Sequence, residues 1–131
     1  MKVCLFGGTF DPPHLGHLII AQTIFEAENF DQIVFVPAYQ PPHKNGMKVS
    51  PVDQRLEMLK IAIKENPNFI LSDLEIQRKG LSYSIDTIID YKEQNSLNSN
   101  ELFYLMGSDS LKQFKKWKNT KKIIDECRVI V

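Results

Sequence analysis

A segment near the amino terminus, residues 7–17, combines two glycines with two histidines in the order Gly-Gly-Thr-Phe-Asp-Pro-Pro-His-Leu-Gly-His. Adjacent glycines permit a turn that a residue with a Cβ could not make, and they let backbone N–H groups approach an anion closely. His14 and His17 are three residues apart, so both rings lie on one face of a helical turn. Imidazoles near the positive end of a helix dipole donate hydrogen bonds to phosphate oxygens, most usefully where negative charge grows during a reaction. The segment therefore predicts a phosphate site.

The residues that flank this segment predict the strand and the helix that position it. Residues 2–6 are β-rich and mostly apolar, which is typical of a strand buried on both faces of a parallel sheet. Pro12 and Pro13 suit the start of a helix, where a missing N–H costs little, and we expect the helix to begin near His14. This strand, turn and helix form the context that a phosphate-binding motif needs.

Two other interpretations of the histidines are open. They could be ordinary residues of a helix surface beside a plain Gly-Gly turn. They could also begin a zinc site, but a pair of histidines needs further ligands, and Cys4 occupies the position of a buried strand residue. The chain has three histidines and two of them fall in this one turn, which favours the phosphate site.

Size and charge limit the classes of function. The 131 residues suffice for one hydrophobic core and are too few for two ordinary domains. With 16 basic and 16 acidic residues the formal net charge is zero, which argues against wholesale binding to nucleic acid or to an anionic membrane. Cys4 and Cys127 lack the spacing of a disulfide framework, which indicates a reducing compartment. No leader or membrane-spanning run is found, and we expect a cytoplasmic protein.

Strands alternate with helices along the chain. Apolar, β-rich runs predict five strands, near residues 2–6, 33–36, 69–71, 102–106 and 128–131. Apolar residues at helical spacing predict helices between them, two of which begin at the expected N-caps Ser50 and Ser84. Arg55, in the middle of a helix, is expected to be structural. The alternation predicts an α/β fold, a Rossmann-like doubly wound parallel sheet with strand order 3-2-1-4-5.

This strand order predicts where a ligand binds. Strands one and four are neighbours at the topological switch point, so Gly7-Gly8 and Gly107-Ser108-Asp109 line two sides of one crevice. The sequence has no glycine-rich loop ending in Gly-Lys-Ser/Thr and no Gly-x-Gly-x-x-Gly fingerprint, which argues against a kinase or a dehydrogenase. A nucleotide site of another type is therefore expected.

The turn resembles the signature of the nucleotidyltransferase superfamily, whose members join a nucleotide to a phosphorylated acceptor and release pyrophosphate. Within it, the chain looks like the bacterial nicotinate-nucleotide adenylyltransferase family over essentially all of its length. The similarity rests on residues 7–17, on Pro-Pro-His-Lys at 41–44, on residues 79–87, and on Gly107-Ser108-Asp109 with Phe114 and Trp117 downstream. The resemblance implies an enzyme that joins ATP to nicotinate mononucleotide. Its product would be nicotinate adenine dinucleotide.

The resemblance also assigns site residues. His14 and His17 would be the catalytic pair. Eight residues would bind ATP: Gly7, Gly8, Thr9, Phe10, His14, His17, Gly107 and Asp109. Lys44 would approach an acceptor phosphate, the backbone at Ser84 would meet the nicotinate carboxylate, and Trp117 would stack on the pyridine. Mg²⁺ would arrive with ATP, held by phosphate oxygens and water and by no protein ligand.

Each of these assignments has a structural alternative. Lys44 could be a solvated loop lysine, Ser84 and Asp109 could serve as helix caps, and Trp117 could pack on the core. The lysines between residues 112 and 122 are expected to form a solvated helix face.

One part of the family pattern is missing. Family members continue with a Ser-Ser/Thr-x-Ile/Leu-Arg block that grips the ATP phosphates, and the sequence stops at Val131 without it. We therefore expect a single nucleotidyltransferase domain, residues 1–131, that lacks its C-terminal part. The alternatives are a pantetheine-phosphate adenylyltransferase and a nucleotide-binding fragment without catalysis. The Pro-Pro-His-Lys block and the residues around Ser84 argue against pantetheine phosphate. The sequence does not predict the oligomeric state.

Overall fold

Five parallel strands form one sheet in the computed structural model, which describes residues 1–40, 48–107 and 114–131. The strands are β1 (Val3–Gly8), β2 (Gln32–Pro37), β3 (Phe69–Leu71), β4 (Leu102–Leu105) and β5 (Arg128–Ile130). Their order is β3-β2-β1-β4-β5, which confirms the predicted fold class and strand order. β1 therefore lies at the centre of the sheet, and it pairs with β2 on one side and β4 on the other.

Helices cover both faces of the sheet. They are α1 (Leu15–Ala27), α2 (Val52–Ile63), α3 (Leu74–Arg78), α4 (Ser84–Gln94) and α5 (Thr120–Glu126), with a 3₁₀ turn at Phe114–Lys116. Successive residues of β1 point to opposite faces, so Cys4 and Phe6 join the core under α1 and α2, while Val3 and Leu5 join the core under α4 and α5. Within the described ranges, no helix is both long enough and apolar enough to cross a membrane.

The predicted cap of α2 is wrong by one residue. Pro51 is the N-cap and α2 begins at Val52, whereas Ser50 precedes the N-cap. The backbone groups of Ser50 are bound to other segments of the chain. Its N–H donates to Asp11 Oδ2 at 2.8 Å, and its carbonyl accepts from Arg55 Nε at 3.0 Å. These bonds fix the position of Ser50 and tie the start of α2 to the turn after β1.

The predicted cap of α4 is wrong in the same way. Tyr83 is the N-cap, and Ser84 is the first residue of the helix. The Ser84 hydroxyl lies 3.1 Å from the Tyr104 hydroxyl, so its partner is a side chain of β4 and not a helix N–H group. Ile85 and Ile88 of α4 are buried, and the partly buried Ile89 packs against the same core cluster.

Both cysteines are buried and free. Cys4 lies in β1 and Cys127 follows α5. Burial raises the pKa of each thiol to about 12, so both are protonated at neutral pH. They therefore behave as small apolar side chains of the core.

Candidate functional site

The Tyr104 hydroxyl of β4 lies beside the carboxyl end of β1, where the strand order predicts the crevice. β1 ends at Gly7 and Gly8, and a Cβ built on Gly7 would lie 2.4 Å from the Tyr104 hydroxyl oxygen. A Cβ on Gly8 would lie 3.4 Å from the Phe10 ring, which is ordinary contact. Gly7 is therefore required because it leaves room for the tyrosine.

The backbone conformation of the turn differs from the one expected. Gly7 and Gly8 belong to β1 and have no positive φ, so the expectation that their conformational freedom makes the turn is wrong. The residue with positive φ is Phe10, at 51°. Its buried ring packs edge-on against Phe6, with ring centroids 5.5 Å apart, and contacts Phe35 at 5.8 Å. This aromatic packing holds Phe10 in a conformation that an isolated phenylalanine disfavours.

Arg55 organises the main chain around the turn. Although it is charged, only 1% of its surface is exposed. Its Nη1 donates to the carbonyls of Thr9 at 2.9 Å and Ala38 at 2.7 Å, and its Nη2 lies 3.4 Å from the Tyr39 carbonyl. In a trans peptide the C=O and N–H groups point in opposite directions, so the N–H that follows the Thr9 carbonyl is directed away from Arg55. Arg55 thus orients an amide of the turn, and its predicted structural role agrees with these contacts.

The two histidines interact directly, and the contact fixes the proton position on one of them. The backbone N–H of His14 donates to Nδ1 of His17 at 3.0 Å. An Nδ1 that accepts a hydrogen bond carries no proton, so neutral His17 holds its proton on Nε2. The rings are stacked, with centroids 3.8 Å apart and planes 21° from parallel. The structure thus brings the predicted pair together, with a donor available at Nε2 of His17.

The surroundings of the rings lower the basicity of His17. Its ring contacts Phe10 at 5.0 Å and Phe6 at 5.9 Å between centroids. Burial lowers the pKa of His17, and the nearby His14 lowers it further because two positive rings repel. A Cβ on Gly16 would lie 2.9 Å from the His14 ring, so Gly16 leaves space for this ring.

The opposite side of the crevice lies where the strand order predicts it. Phe6 of β1 is paired with Leu105 of β4, which brings the residues that follow, Gly7-Gly8 and Met106-Gly107, to the same edge of the sheet. Gly107 is exposed, and nothing lies within 4 Å of a Cβ built on it. The backbone of Gly107 is therefore accessible from the crevice.

Tyr104 joins the predicted phosphate turn, residues 7–17, to Ser84 and Trp117, two of the expected acceptor residues. Its hydroxyl lies against Gly7 and 3.1 Å from Ser84 Oγ. The Trp117 ring packs at right angles to the Tyr104 ring, with centroids 6.2 Å apart, and also contacts Phe114 at 5.4 Å. Trp117 is half-buried, so it packs on the core and keeps part of its surface accessible.

Two predicted site residues have no structural description. Lys44 and Asp109 lie outside the described residues, and their roles stay predictions. Within the described ranges, no group of three or more His, Cys, Asp or Glu is placed to hold a metal ion. Two residues that organise the site were not predicted as parts of it, Arg55 and Tyr104. The position of Arg55 inside an amphipathic helix was a signal that could have identified it. Nothing in the sequence distinguishes Tyr104 from other strand residues.

A second depression lies beside this crevice. It has a volume of about 530 Å³ and lies between the end of β2, the start of α2 and the carboxyl-terminal part of α3. Tyr39, Arg55 and Lys79 contribute to its wall. None of the predicted site residues is among its described lining residues.

The contacts of Arg55 predict a large loss of stability when it is replaced. An Arg55→Met variant keeps a long apolar chain but leaves the Thr9 and Ala38 carbonyls without their donor. We expect the free energy of unfolding to fall by roughly 3 kcal/mol, because a buried unsatisfied carbonyl costs about 1–3 kcal/mol. Urea denaturation measures this free energy, and Lys60→Met, on the exposed face of α2, is the control. Equal losses in the two variants would contradict the assignment.

The close approach of Gly7 to Tyr104 predicts a coupled pair of substitutions. Gly7→Ala should lower the free energy of unfolding by about 1–3 kcal/mol, since the new methyl group overlaps the hydroxyl. Adding Tyr104→Phe removes that hydroxyl and should restore at least about 1 kcal/mol. Thermal unfolding of both variants and the double variant tests the coupling. Gly8→Ala is the matched control and should cost less, and simple additivity in the double variant would argue against the contact.

The lowered pKa of His17 predicts a pH dependence of stability. The unfolded histidine binds a proton more readily than the folded one, so the contribution of His17 is present above about pH 6.5 and is lost as the pH falls through its lowered folded pKa. His17→Asn keeps an acceptor near the position of Nδ1 and removes the titration. Urea midpoints measured between about pH 7.5 and about pH 5 should therefore fall less steeply in this variant than in the wild type. Parallel curves would contradict the expectation.

Known proteins show the same sequence pattern and fold. Residues 5–131 match the family described as cytidylyltransferase-like. A relative from Aquifex aeolicus with the name "Probable nicotinate-nucleotide adenylyltransferase" is 43% identical over 127 residues, which are 97% of this chain and 74% of that protein. A relative of the same name from Clostridium acetobutylicum is 40% identical over 130 residues, which are 99% of this chain and 64% of that protein. The chain thus spans less than two thirds of the Clostridium relative.

A solved structure supports the fold independently. The nicotinic acid mononucleotide adenylyltransferase of Plasmodium falciparum, complexed with NaAD, matches with a TM-score of 0.78 and 21% identity, over 94% of this chain and 60% of that chain. At this identity the likeness establishes the fold alone. The family match and the 43% identity to the Aquifex protein confirm the resemblance drawn from the motifs. The chain belongs to the cytidylyltransferase-like family, in its nicotinate-nucleotide adenylyltransferase branch.

Proposed function

We propose that the protein transfers the adenylyl group of ATP to the phosphate of nicotinate mononucleotide, giving nicotinate adenine dinucleotide and pyrophosphate. The observation that carries this proposal is the meeting of the phosphate turn and the acceptor segment at Tyr104, whose hydroxyl lies against Gly7 and 3.1 Å from Ser84. The names of the relatives support the same substrates. The Plasmodium enzyme of similar fold is complexed with NaAD, the corresponding product.

The reaction needs no protein base. The acceptor phosphate is ionised at neutral pH, so one of its oxygens can attack the α-phosphorus of ATP directly. A new bond forms between that oxygen and the α-phosphorus, and the bond from the α-phosphorus to the bridging oxygen breaks. Pyrophosphate leaves with the bonding electrons. The protein has to align the reacting groups and stabilise the charge that develops on the phosphates.

The phosphate turn supplies donors for that charge. Neutral His17 holds its proton on Nε2, because its Nδ1 accepts from the His14 N–H. Backbone N–H groups between Gly8 and Phe10 would bind the phosphates together with the two rings. We assign His14 and His17 as the catalytic pair on this basis. Gly107 and Asp109 would contact the adenosine, as the family resemblance implies.

The acceptor half is assigned to the other side of Tyr104. The backbone at Ser84, at the start of α4, would bind the nicotinate carboxylate with N–H groups that have no partner within the helix. The half-buried Trp117 would stack on the pyridine, and Lys44 would approach a phosphate. We assign residues 1–131 to a single nucleotidyltransferase domain, and we place the enzyme in the cytoplasm.

The donor set of the turn fits a metal ion that is held by the nucleotide. Adenylyltransferases of this family generally use a divalent metal with ATP, and we propose Mg²⁺. Asp11, the carboxylate within the turn, accepts from the Ser50 N–H, and the described residues offer no cluster of metal ligands. As the family resemblance implies, phosphate oxygens and water would hold the ion. When bound, Mg²⁺ neutralises charge on the departing pyrophosphate.

The role of His17 predicts a separation of activity from folding. His17→Asn keeps an acceptor for the His14 N–H and loses the Nε2 donor. We expect turnover to fall by ~10²-fold or more, the scale for losing a transition-state donor. Turnover is measured as pyrophosphate release from ATP and nicotinate mononucleotide. The assay uses the longest natural chain that contains these 131 residues. Circular dichroism should show an intact fold.

Controls and competing substrates complete this test. Glu26→Gln, on the exposed part of α1, should turn over like the wild type. Wild-type turnover in His17→Asn would refute the assignment of His17. No pyrophosphate release with nicotinate mononucleotide, combined with release when pantetheine phosphate is supplied, would replace the proposed acceptor.

A further inference from the structure

Glu75 is a buried carboxyl group that the proposed mechanism does not use. It lies in α3 with 4% of its surface exposed, and its Oε2 is 2.6 Å from the Thr87 hydroxyl of α4. The Arg78 guanidinium is close by, and it pairs with Asp90 at 3.1 Å. Burying a carboxyl group costs free energy unless its oxygens are hydrogen-bonded. The direction of each hydrogen bond around Glu75 therefore shows which groups stabilise it.

Thr87 must donate to Glu75. The Thr87 hydroxyl accepts a hydrogen bond from Arg78 Nη2 at 2.9 Å, and a guanidinium can only donate. The single proton of Thr87 is then free for one acceptor. Its contact with Glu75 at 2.6 Å is far shorter than its 3.4 Å contact with the Tyr83 carbonyl. The proton therefore points to Glu75.

The Ser82 hydroxyl is the second side-chain hydrogen-bond partner of the Glu75 carboxyl group. Its hydroxyl accepts from the backbone N–H of Tyr39 at 2.9 Å and lies 3.4 Å from the N–H of Gln40. Backbone N–H groups only donate, so the proton of Ser82 is left for the carboxyl. Burial raises the pKa of Glu75, while hydrogen bonds from Thr87 and Ser82 and the charge of Arg78 oppose that rise. Thr87 and Ser82 thus both donate to the Glu75 carboxyl group.

This network ties together the two segments that the resemblance connects with the acceptor. Ser82 belongs to residues 79–87, and Gln40 directly precedes the Pro-Pro-His-Lys block. Besides the bonds to the Ser82 hydroxyl, the Ser82 N–H donates to the Gln40 carbonyl at 2.9 Å, and Gln40 forms a β-bridge with Leu81. Glu75 orients the hydroxyl at the centre of this junction.

The turn between Glu75 and Ser82 is strained and needs such support. Lys79 has φ 60° and ψ −178°, a region that glycine adopts easily and other residues do not. Gly80 follows with φ 71°. Strained backbone of this kind persists only where its surroundings determine it. The bond from the Lys79 N–H to the Glu75 carbonyl at 3.1 Å holds one end of the turn, and the Ser82 junction holds the other.

We propose that the Glu75 carboxylate is a positioning residue for the acceptor half of the site, holding the Lys79–Gly80 turn and the end of β2 together through Ser82 and Thr87. The part concerning the acceptor rests on the proposed function. The charged and titratable groups around Glu75 are Arg78, Asp90 beyond it, and the Tyr104 hydroxyl, whose pKa is raised by burial and by the Glu75 charge.

Amide hydrogen exchange tests the positioning role without any substrate. In Glu75→Gln, a donor group faces one of the two donating hydroxyls, so the junction should open. We expect the amides of Tyr39, Gln40 and Ser82 to exchange at least about tenfold faster, with the amides of β1 unchanged. Glu65→Gln, an exposed carboxylate at the end of α2, is the matched control. Unchanged exchange at the three amides would overturn the proposal.

Steady-state kinetics test the connection with the acceptor. We expect Glu75→Gln to raise KM for nicotinate mononucleotide about tenfold or more, while KM for ATP stays within about twofold. Thr87→Val should act in the same direction and Thr87→Ser should not, because serine keeps the hydroxyl. This pair also decides the question if Glu75→Gln does not fold. Equal changes in both KM values would mean that Glu75 has only a general structural role, and this result would overturn the proposal.

The two experiments separate the two proposals. If the wild type does not use nicotinate mononucleotide, the proposed function fails, and hydrogen exchange still decides whether Glu75 holds the junction. If exchange accelerates and KM for the mononucleotide is unchanged, Glu75 holds the junction and its connection with the acceptor is wrong.

Discussion

The hydrogen bonds of the Arg55 guanidinium to backbone carbonyls are the interaction on which the rest of the site depends. Arg55 is buried and binds carbonyls of three segments that are distant in sequence, at Thr9, at Ala38–Tyr39 and at Ser50. Carbonyl dipoles replace the water that this cation loses, and the planar fork of arginine reaches several of them at once, which a lysine could not do. The turn after β1, the end of β2 and the start of α2 are therefore fixed relative to one another.

A second constraint acts across the crevice. Tyr104 fills the space that Gly7 leaves, and its hydroxyl reaches Ser84 at the start of α4. The predicted phosphate turn, residues 7–17, and the predicted acceptor segment, residues 79–87, thus share one buried side chain. Glu75 lies close enough for its charge to raise the pKa of Tyr104. The crevice is held by Arg55 on the β2 side and by Tyr104 on the β4 side, so both of its walls are attached to the central strand.

The sequence predicted the fold because the relevant signals are local. Each strand is a short apolar run and each helix has its own spacing, and the strand order follows from the connections between them. The helix caps at Ser50 and Ser84 were predicted wrongly, since two of their partners, Asp11 and Tyr104, come from distant segments. The contacts of Arg55 could not be inferred from residue types, because its acceptors are backbone carbonyls.

The sequence also predicted some features of the site and missed others. The pairing of His14 with His17 followed from their spacing, whereas the tautomer of His17 required the 3.0 Å contact with a backbone N–H. The glycines were expected to make the turn, but Phe10 carries the positive φ, and Gly7 is needed for a side chain from another strand. Lys44 and Asp109 stay predictions.

The stacked imidazoles have a consequence for the thermodynamics of ligand binding. In the free protein, burial and the neighbouring ring disfavour the protonated form of His17. A polyphosphate placed against the rings favours that form, because opposite charges attract. Binding such an anion is therefore linked to proton exchange with the solution below neutral pH. The heat of binding then varies with the ionisation enthalpy of the buffer.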